Sequence, residues 1–254
     1  MIKVEYICHA CLLITVNGKR ILTDPWIYGS SFANCLWLYP PPKSSAKDIG
    51  KVDYIYFSHA HEDHFQLESI KEIIKYNLNT KVIIPKFKQD WFTKLVKKVG
   101  FKNILVIAHN EKLQISKNSS IKIFINDLGE IDSSLLVRSD SDEIFLQTDN
   151  LMSLKESKRI GKNNNIFISF LIPSSTGIFP GLFEFDFKKT KQMALKKKNA
   201  FFKYISQTAK NLNSNFYIPY ANDLCYFDDL FFLNKLNSFE KKDFVFYLKK
   251  KLLK

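Results

Sequence analysis

With 254 residues, 46% of them hydrophobic and 15% aromatic, the chain belongs to the folded class and has room for one large α/β domain or two small ones. Its 38 Lys and Arg against 25 Asp and Glu give a net charge of +13. The excess is lysine, with only Arg20, Arg138 and Arg159 as arginines, and bidentate phosphate recognition favours arginine, so a dedicated nucleic-acid binder is not expected.

Residues 2–23 read as short apolar runs around Asn17-Gly18, a strong hairpin signal, so the chain opens on a β-meander. Residues 25–50, with three consecutive prolines and many aromatics, read as a long loop of the kind that serves function. A buried strand over 53–58 precedes a histidine-rich stretch, and 66–77 is an amphipathic helix. Strand 81–85 and a helix over 87–99 closed by Gly100 follow, then strands at 103–108, 121–127, 134–139 and 143–149. A helix near 152–159 leads to strand 165–171, a loop over 173–186 and a lysine-rich helix over Phe187–Asn211. Strand 215–219, a polar turn over 220–229 and a basic helix over 241–254 complete the chain. Lysines at the end of that last helix suit its dipole, which favours a solvated face over a membrane contact. Sheets between helical layers, in one domain over 1–254, are expected.

Cys8, Cys11, Cys35 and Cys225 lack a regular disulfide spacing, and Cys8-x-x-Cys11 has no second pair to make a zinc site, so reduced thiols are expected. No apolar run reaches the roughly 18 residues of a membrane span, and no leader pattern is visible. A cytoplasmic protein without a membrane span is the expectation.

Three of the five histidines fall in His59-Ala-His61-Glu62-Asp63-His64. Histidines two apart in extended or loop backbone point to the same side and can share one ion, while Asp63 and His64 can face a second. A closed structural zinc site would be richer in cysteine. Histidine mixed with carboxylate on a strand-to-helix loop suits a dinuclear hydrolytic or oxidative centre, with ions roughly 3.5–4 Å apart acting on one substrate.

Ser58-His59-x-His61-x-Asp63-His64 after a strand resembles the signature of the metallo-β-lactamase fold, which implies an αββα sandwich. The opening "HACLLITVNGKRILTDPW" is similar to the lactonase-like branch of that fold. Taken with "QTDN", "FPGLFEFDF" and "NSNFYIPYA", nearly the whole chain resembles the metallo-β-lactamase-like part of the CMP-N-acetylneuraminate hydroxylase family. The resemblance implies two metal ions held by His59, His61, Asp63 and His64, with Asp149 bridging. It also implies a third histidine shortly before the bridging residue and a last one near the chain end, and both are absent. Glu130 is the expected replacement for the first, ahead of His109. Asp228 is expected for the second, with Asp223 as the alternative. His9 is implied as a polar substrate contact and Asp24 as support for a ligand histidine, with Asp63 and His9 as the catalytic candidates. Trp26, Trp37, Phe179 and Phe183 are expected to wall a pocket.

An oxygen-rich donor set suits iron or manganese better than zinc. The leading expectation is therefore a dinuclear non-haem iron oxygenase that uses O2 as cosubstrate to oxidise a small substrate, such as a nucleotide-linked or amino sugar. The hydroxylase family also uses a Rieske iron-sulfur module, whose paired Cys and His ligands this chain lacks. Electrons would then come from a separate donor protein or from the substrate. A zinc or manganese hydrolase of a lactone, phosphodiester or amide is the alternative, and a non-catalytic binding relative the third.

Overall fold

The computed structural model describes residues 1–129, 131–140, 142–174, 177–237 and 241–252. Strand β1 (Ile2–Cys8) alternates half-buried and exposed positions before ending in the core, as an outer strand covered on one face does. It pairs with β2 (Cys11–Val16), which turns into β3 (Lys19–Thr23) through Asn17 and Gly18, at φ 46° and 79°. Both turn residues are left-handed, the conformation a two-residue hairpin needs and that glycine and asparagine adopt most readily. The 25–50 loop carries β4 (Ser30–Ser31), β5 (Leu36–Leu38) and a one-turn helix α1 (Ala46–Ile49). Strand β6 (Tyr54–Tyr56) is buried throughout and leads through the histidine-rich loop to α2 (Leu67–Asn77). The Gln66 side chain caps α2 by accepting the Ser69 N–H at 2.6 Å.

Strand β7 (Lys81–Pro85), helix α3 (Trp91–Lys98) and strand β8 (Asn103–Ile107) follow. Helix α3 starts four residues later than expected because Phe87 is buried in the preceding turn and Asp90 takes the N-cap position. Next come β9 (Lys112–Ser116), β10 (Ser119–Ile125), β11 (Ser133–Arg138), β12 (Glu143–Leu146), α4 (Leu154–Asn163) and β13 (Ile166–Leu171). The chain closes with α5 (Phe187–Leu212), β14 (Phe216–Pro219), β15 (Leu224–Tyr226), α6 (Phe232–Asn237) and α7 (Lys241–Leu252). The expectation of a plain polar turn over 220–229 missed β15, which adds to β5 and β4 in a small third sheet. Helix α4 runs past its expected end because Gly161 admits the α5 backbone. A Cβ there would stand 2.0 Å from the Asn211 carbonyl oxygen.

Two six-stranded sheets, in the orders β1-β2-β3-β6-β7-β8 and β14-β13-β12-β11-β10-β9, face each other in an αββα sandwich. Helix α3 packs beside β8, while α5 covers β13 and α7 reaches β14. Buried residues of both sheets form a continuous core that includes Ile14, Leu22, Ile55, Ile123, Leu135 and Leu146. Burying each such side chain stabilises the fold by roughly 1.5–3 kcal/mol before the cost of ordering it. Strands β3, β6 and β7 run parallel, as do β12, β13 and β14. The loops after β3, β6 and β12 leave the strands' carboxyl ends, the edge where α/β sheets build sites.

Candidate metal centre

The histidine-rich loop is set from below by Asp24, a fully buried carboxylate just after β3. Its Oδ1 accepts the Ser58 N–H at 2.8 Å, and its Oδ2 accepts the Ser58 hydroxyl at 2.7 Å and lies 2.9 Å from His64 Nδ1. Asp24 holds a proton on His64 Nδ1, so Nε2 is the ring nitrogen that faces the site. That Nε2 is 3.4 Å from Asp149 Oδ1 and 3.9 Å from Asp63 Oδ2. His59 is likewise buried, its Nδ1 2.9 Å from the Ser58 hydroxyl and its Nε2 2.8 Å from His61 Nδ1.

Asp132 reaches the site from the other sheet. The Ser133 hydroxyl donates to the Ser58 carbonyl at 2.8 Å and lies 2.7 Å from the Tyr56 phenol. This stitches the start of β11 to the residue before His59 and leaves Asp132 Oδ1 3.7 Å from His59 Nε2. Asp132, just before β11, and Asp149, just after β12, both leave the paired strands on the side of the histidine-rich loop, and the Asp149 charge acts on Asp132. His9 enters from the β1–β2 turn at φ 44°, its Nε2 3.5 Å from Asp63 Oδ2. Its ring packs edge-on against Trp26, with centroids 5.5 Å apart, and against His64 at 5.4 Å.

Three donor groups result, each with its ligand atoms within 4.8 Å of one another: His59, His61 and Asp132; His59, His64 and Asp149; His9, Asp63 and His64. They overlap at His59 and His64 and so form one elongated centre. Asp149 lies between the ends, with Oδ2 3.9 Å from His59 Nε2 and Oδ1 3.4 Å from His64 Nε2. Each oxygen of one carboxylate thus faces a different histidine, the disposition of a bridging ligand.

The electrostatics fit a cation site. Burial, reinforced by neighbouring His64, pushes the His59 pKa down to about 3, so the imidazole is neutral and able to ligate. Burial also opposes charge on His64, but Asp149, Asp63 and Asp24 override it and hold its pKa well above the usual value, so without an ion Nε2 carries a proton that a bound cation would displace. Burial and the Asp149 charge lift Asp132 to about 6. Asp63 and Asp149 sit below the usual carboxylate range despite burial, His64 contributing most to the lowering in both. Both ring nitrogens of His9, His64 Nε2, Asp63 Oδ1 and Asp132 Oδ1 are buried without a hydrogen-bond partner. Buried polar atoms are normally satisfied, and orphans converging on one point are what ligand atoms look like before an ion is counted. The residues present therefore fit a metal centre.

Of the residues expected from sequence, His59, His61, Asp63, His64 and Asp149 are brought together, and His9 joins them. Glu130 lies outside the described residues. Asp228 does not fill the place expected for it: it is exposed at the start of a 3-10 turn after β15, outside all three donor groups. His109 is held elsewhere, accepting the Ile125 N–H at 3.1 Å on Nδ1, with Arg159 2.8 Å from Nε2. Trp26 is fully buried with its ring edge-on to His9, while Phe179 and Phe183 pack on each other at 5.1 Å and are exposed. Asp132 is the ligand candidate that sequence reasoning missed. No local sequence pattern marks it.

A beta-lactamase superfamily domain matches residues 3–135, just over half of the chain. The chain belongs to the beta-lactamase superfamily. Among its relatives within and around that superfamily, the cytidine monophosphate-N-acetylneuraminic acid hydroxylase of Mus musculus is 25% identical over 226 residues, covering 87% of this chain and 39% of the relative. The chain thus spans about two fifths of the length of the curated relatives it matches. The fold of CmlA, a diiron β-hydroxylase from Streptomyces venezuelae, superposes with a TM-score of 0.64 at 18% identity, covering 87% of this superfamily member and 45% of CmlA. A metallo hydrolase from the archaeon Ignicoccus hospitalis gives the same TM-score at 15% identity, covering 99% and 92% of the two chains. The mouse relative is an enzyme by name, and the histidine–aspartate centre of this superfamily member gathers residues able to hold metal ions.

Proposed function

We propose that the chain is a dinuclear non-haem iron oxygenase that oxidises a small substrate with O2. The observation that supports this best is the carboxylate content of the centre: Asp63, Asp132 and Asp149 stand among the histidines, with Asp132 beside His59 and His61. Hard oxygen donors suit iron or manganese, and three carboxylates offset most of the charge of two divalent ions and favour a higher oxidation state. His59, His61 and Asp132 would hold one ion, His9, Asp63 and His64 the other, with Asp149 between them. Two irons in these places would supply the redox chemistry that reduces O2 and oxidises the substrate.

The chain's own residues do the rest. Burial keeps His59 neutral, and Asp24 keeps the His64 proton on the nitrogen that faces away from the site. Below about pH 6 Asp132 holds a proton that an ion would displace, so loading at this end of the centre should ease as the pH rises through 6. Trp26 and Tyr220, both fully buried, exclude water from the side of the core. The likeness to the mouse hydroxylase supports a nucleotide-linked or amino sugar as substrate.

The histidine content favours a second reading, a zinc or manganese hydrolase of a lactone, phosphodiester or amide. The test is turnover by iron-loaded protein given a chemical reductant and a panel of nucleotide-linked and amino sugars. Oxygen uptake matched by an oxygenated product supports the proposal. Cleavage of lactone or phosphodiester substrates without oxygen, and no uptake with any sugar, would overturn it in favour of the hydrolase.

A further inference from the structure

Asp223 stands where the resemblance leaves room for a last metal-binding side chain, yet its carboxylate is in none of the donor groups. It is 4% exposed and fully engaged elsewhere. Oδ2 accepts the Tyr6 phenol at 2.6 Å and the backbone N–H of His9 at 3.0 Å. Oδ1 accepts Nζ of Lys241, the first residue of α7. Lys241 also donates to the Tyr6 oxygen at 3.3 Å and sits over the Tyr6 ring, 5.1 Å from its centroid. From the same segment, the Ala221 N–H donates to the His9 carbonyl at 3.0 Å. Both backbone polar groups of His9 are therefore held by residues 221–223.

That grip has a physical purpose. A non-glycine residue in the left-handed region is strained and persists only where its surroundings over-determine it. A charge-assisted bond from a buried N–H to a carboxylate is among the stronger restraints available. At φ 44° the His9 ring stands beside Asp63 with both nitrogens unpartnered. Relaxing φ to a negative value would re-aim its Cα–Cβ bond and carry the ring out of the centre.

We propose that Asp223 is a positioning residue for the metal centre: anchored by Tyr6 and Lys241, it locks His9 in the left-handed conformation that aims its ring at the second ion. The proposal rests on the metal-centre reading above, and it ties the C-terminal helix α7, through Lys241, to an ion bound by residues from the other end of the chain. Asp223 itself touches no ion. It acts through the backbone of His9.

The experiment combines a Co(II) titration of metal-stripped protein, read by absorption, with hydrogen exchange of the His9 amide measured without metal. Asp223→Ala is expected to weaken the second ion by roughly tenfold or more, leave the first unchanged and expose the His9 amide to exchange. Asp223→Asn retains an oxygen for Tyr6 and His9 and is expected to keep most of the affinity. In a His9→Ala background, adding Asp223→Ala should change the second affinity no further, since the two act through one interaction. Should Asp223→Ala fail to fold, Lys241→Met, which releases Asp223 without removing its oxygens, carries the same comparison. An amide that stays protected in Asp223→Ala, or an equal loss of affinity with and without His9, overturns the proposal. A wild-type protein that takes up no second ion instead overturns the metal-centre reading, and the exchange arm still decides whether Asp223 holds His9.

Discussion

Asp132→Asn should stabilise the metal-free protein while weakening its metal binding. The Asp132 carboxyl is buried beside Asp149, with Asp63 adding to the repulsion and His61 and His64 only partly relieving it, which lifts its pKa from 3.8 to about 6. The folded state thus holds this proton more tightly than the unfolded chain does. Stability from this group is complete below about pH 4 and is lost as the pH rises through 6. Each tenfold change in proton affinity corresponds to ~1.4 kcal/mol, so at neutral pH the folded protein forfeits roughly 3 kcal/mol, less whatever solvent screens at the exposed edge of the side chain. Asparagine has the same shape and no charge to desolvate. Urea unfolding of metal-stripped wild type and variant at pH 4 and pH 7.5 should give a variant more stable by roughly 1–3 kcal/mol at the higher pH and nearly equal at the lower. Equal stability at both values, or a variant weaker at pH 7.5, would refute the electrostatic argument. The same substitution should lower affinity for the ion at the His59 and His61 end, because it replaces an anionic donor by a neutral one.

Asp24→Ala strands the Ser58 N–H and frees the His64 ring, so the variant should lose roughly 1–3 kcal/mol of stability and bind its second ion 10–100-fold more weakly by metal titration. Gly161→Ala drives a methyl group against the α5 backbone at Asn211 and Leu212, and a loss of roughly 1–3 kcal/mol is expected from urea unfolding, with the metal centre's affinity unchanged. An alanine variant as stable as the parent would show that α4 and α5 can separate without cost.

Much of the centre could be read from the sequence because its densest part is local. His59, His61, Asp63 and His64 lie within one loop, and a strand before it and a capped helix after it fix which way the loop faces. Asn17-Gly18 declared its hairpin for the same reason, two left-handed residues in a row. Asp132 was hidden because its place depends on a contact between the two sheets, the Ser133 bond to the Ser58 carbonyl. His9 was legible as a residue near the ions, but its orphaned ring and its left-handed backbone belong to the folded chain. The small sheet of β4, β5 and β15 was lost inside loop-like composition, since strands of two or three residues carry too little alternation to read.

Whether the centre binds two irons is decided by elemental analysis of protein purified from cells supplied with both iron and zinc. About two irons per chain are expected, falling to one or fewer when Asp149, which lies between His59 and His64, is replaced by alanine. Zinc in place of iron, or a chain that carries no metal at all, would contradict the diiron reading.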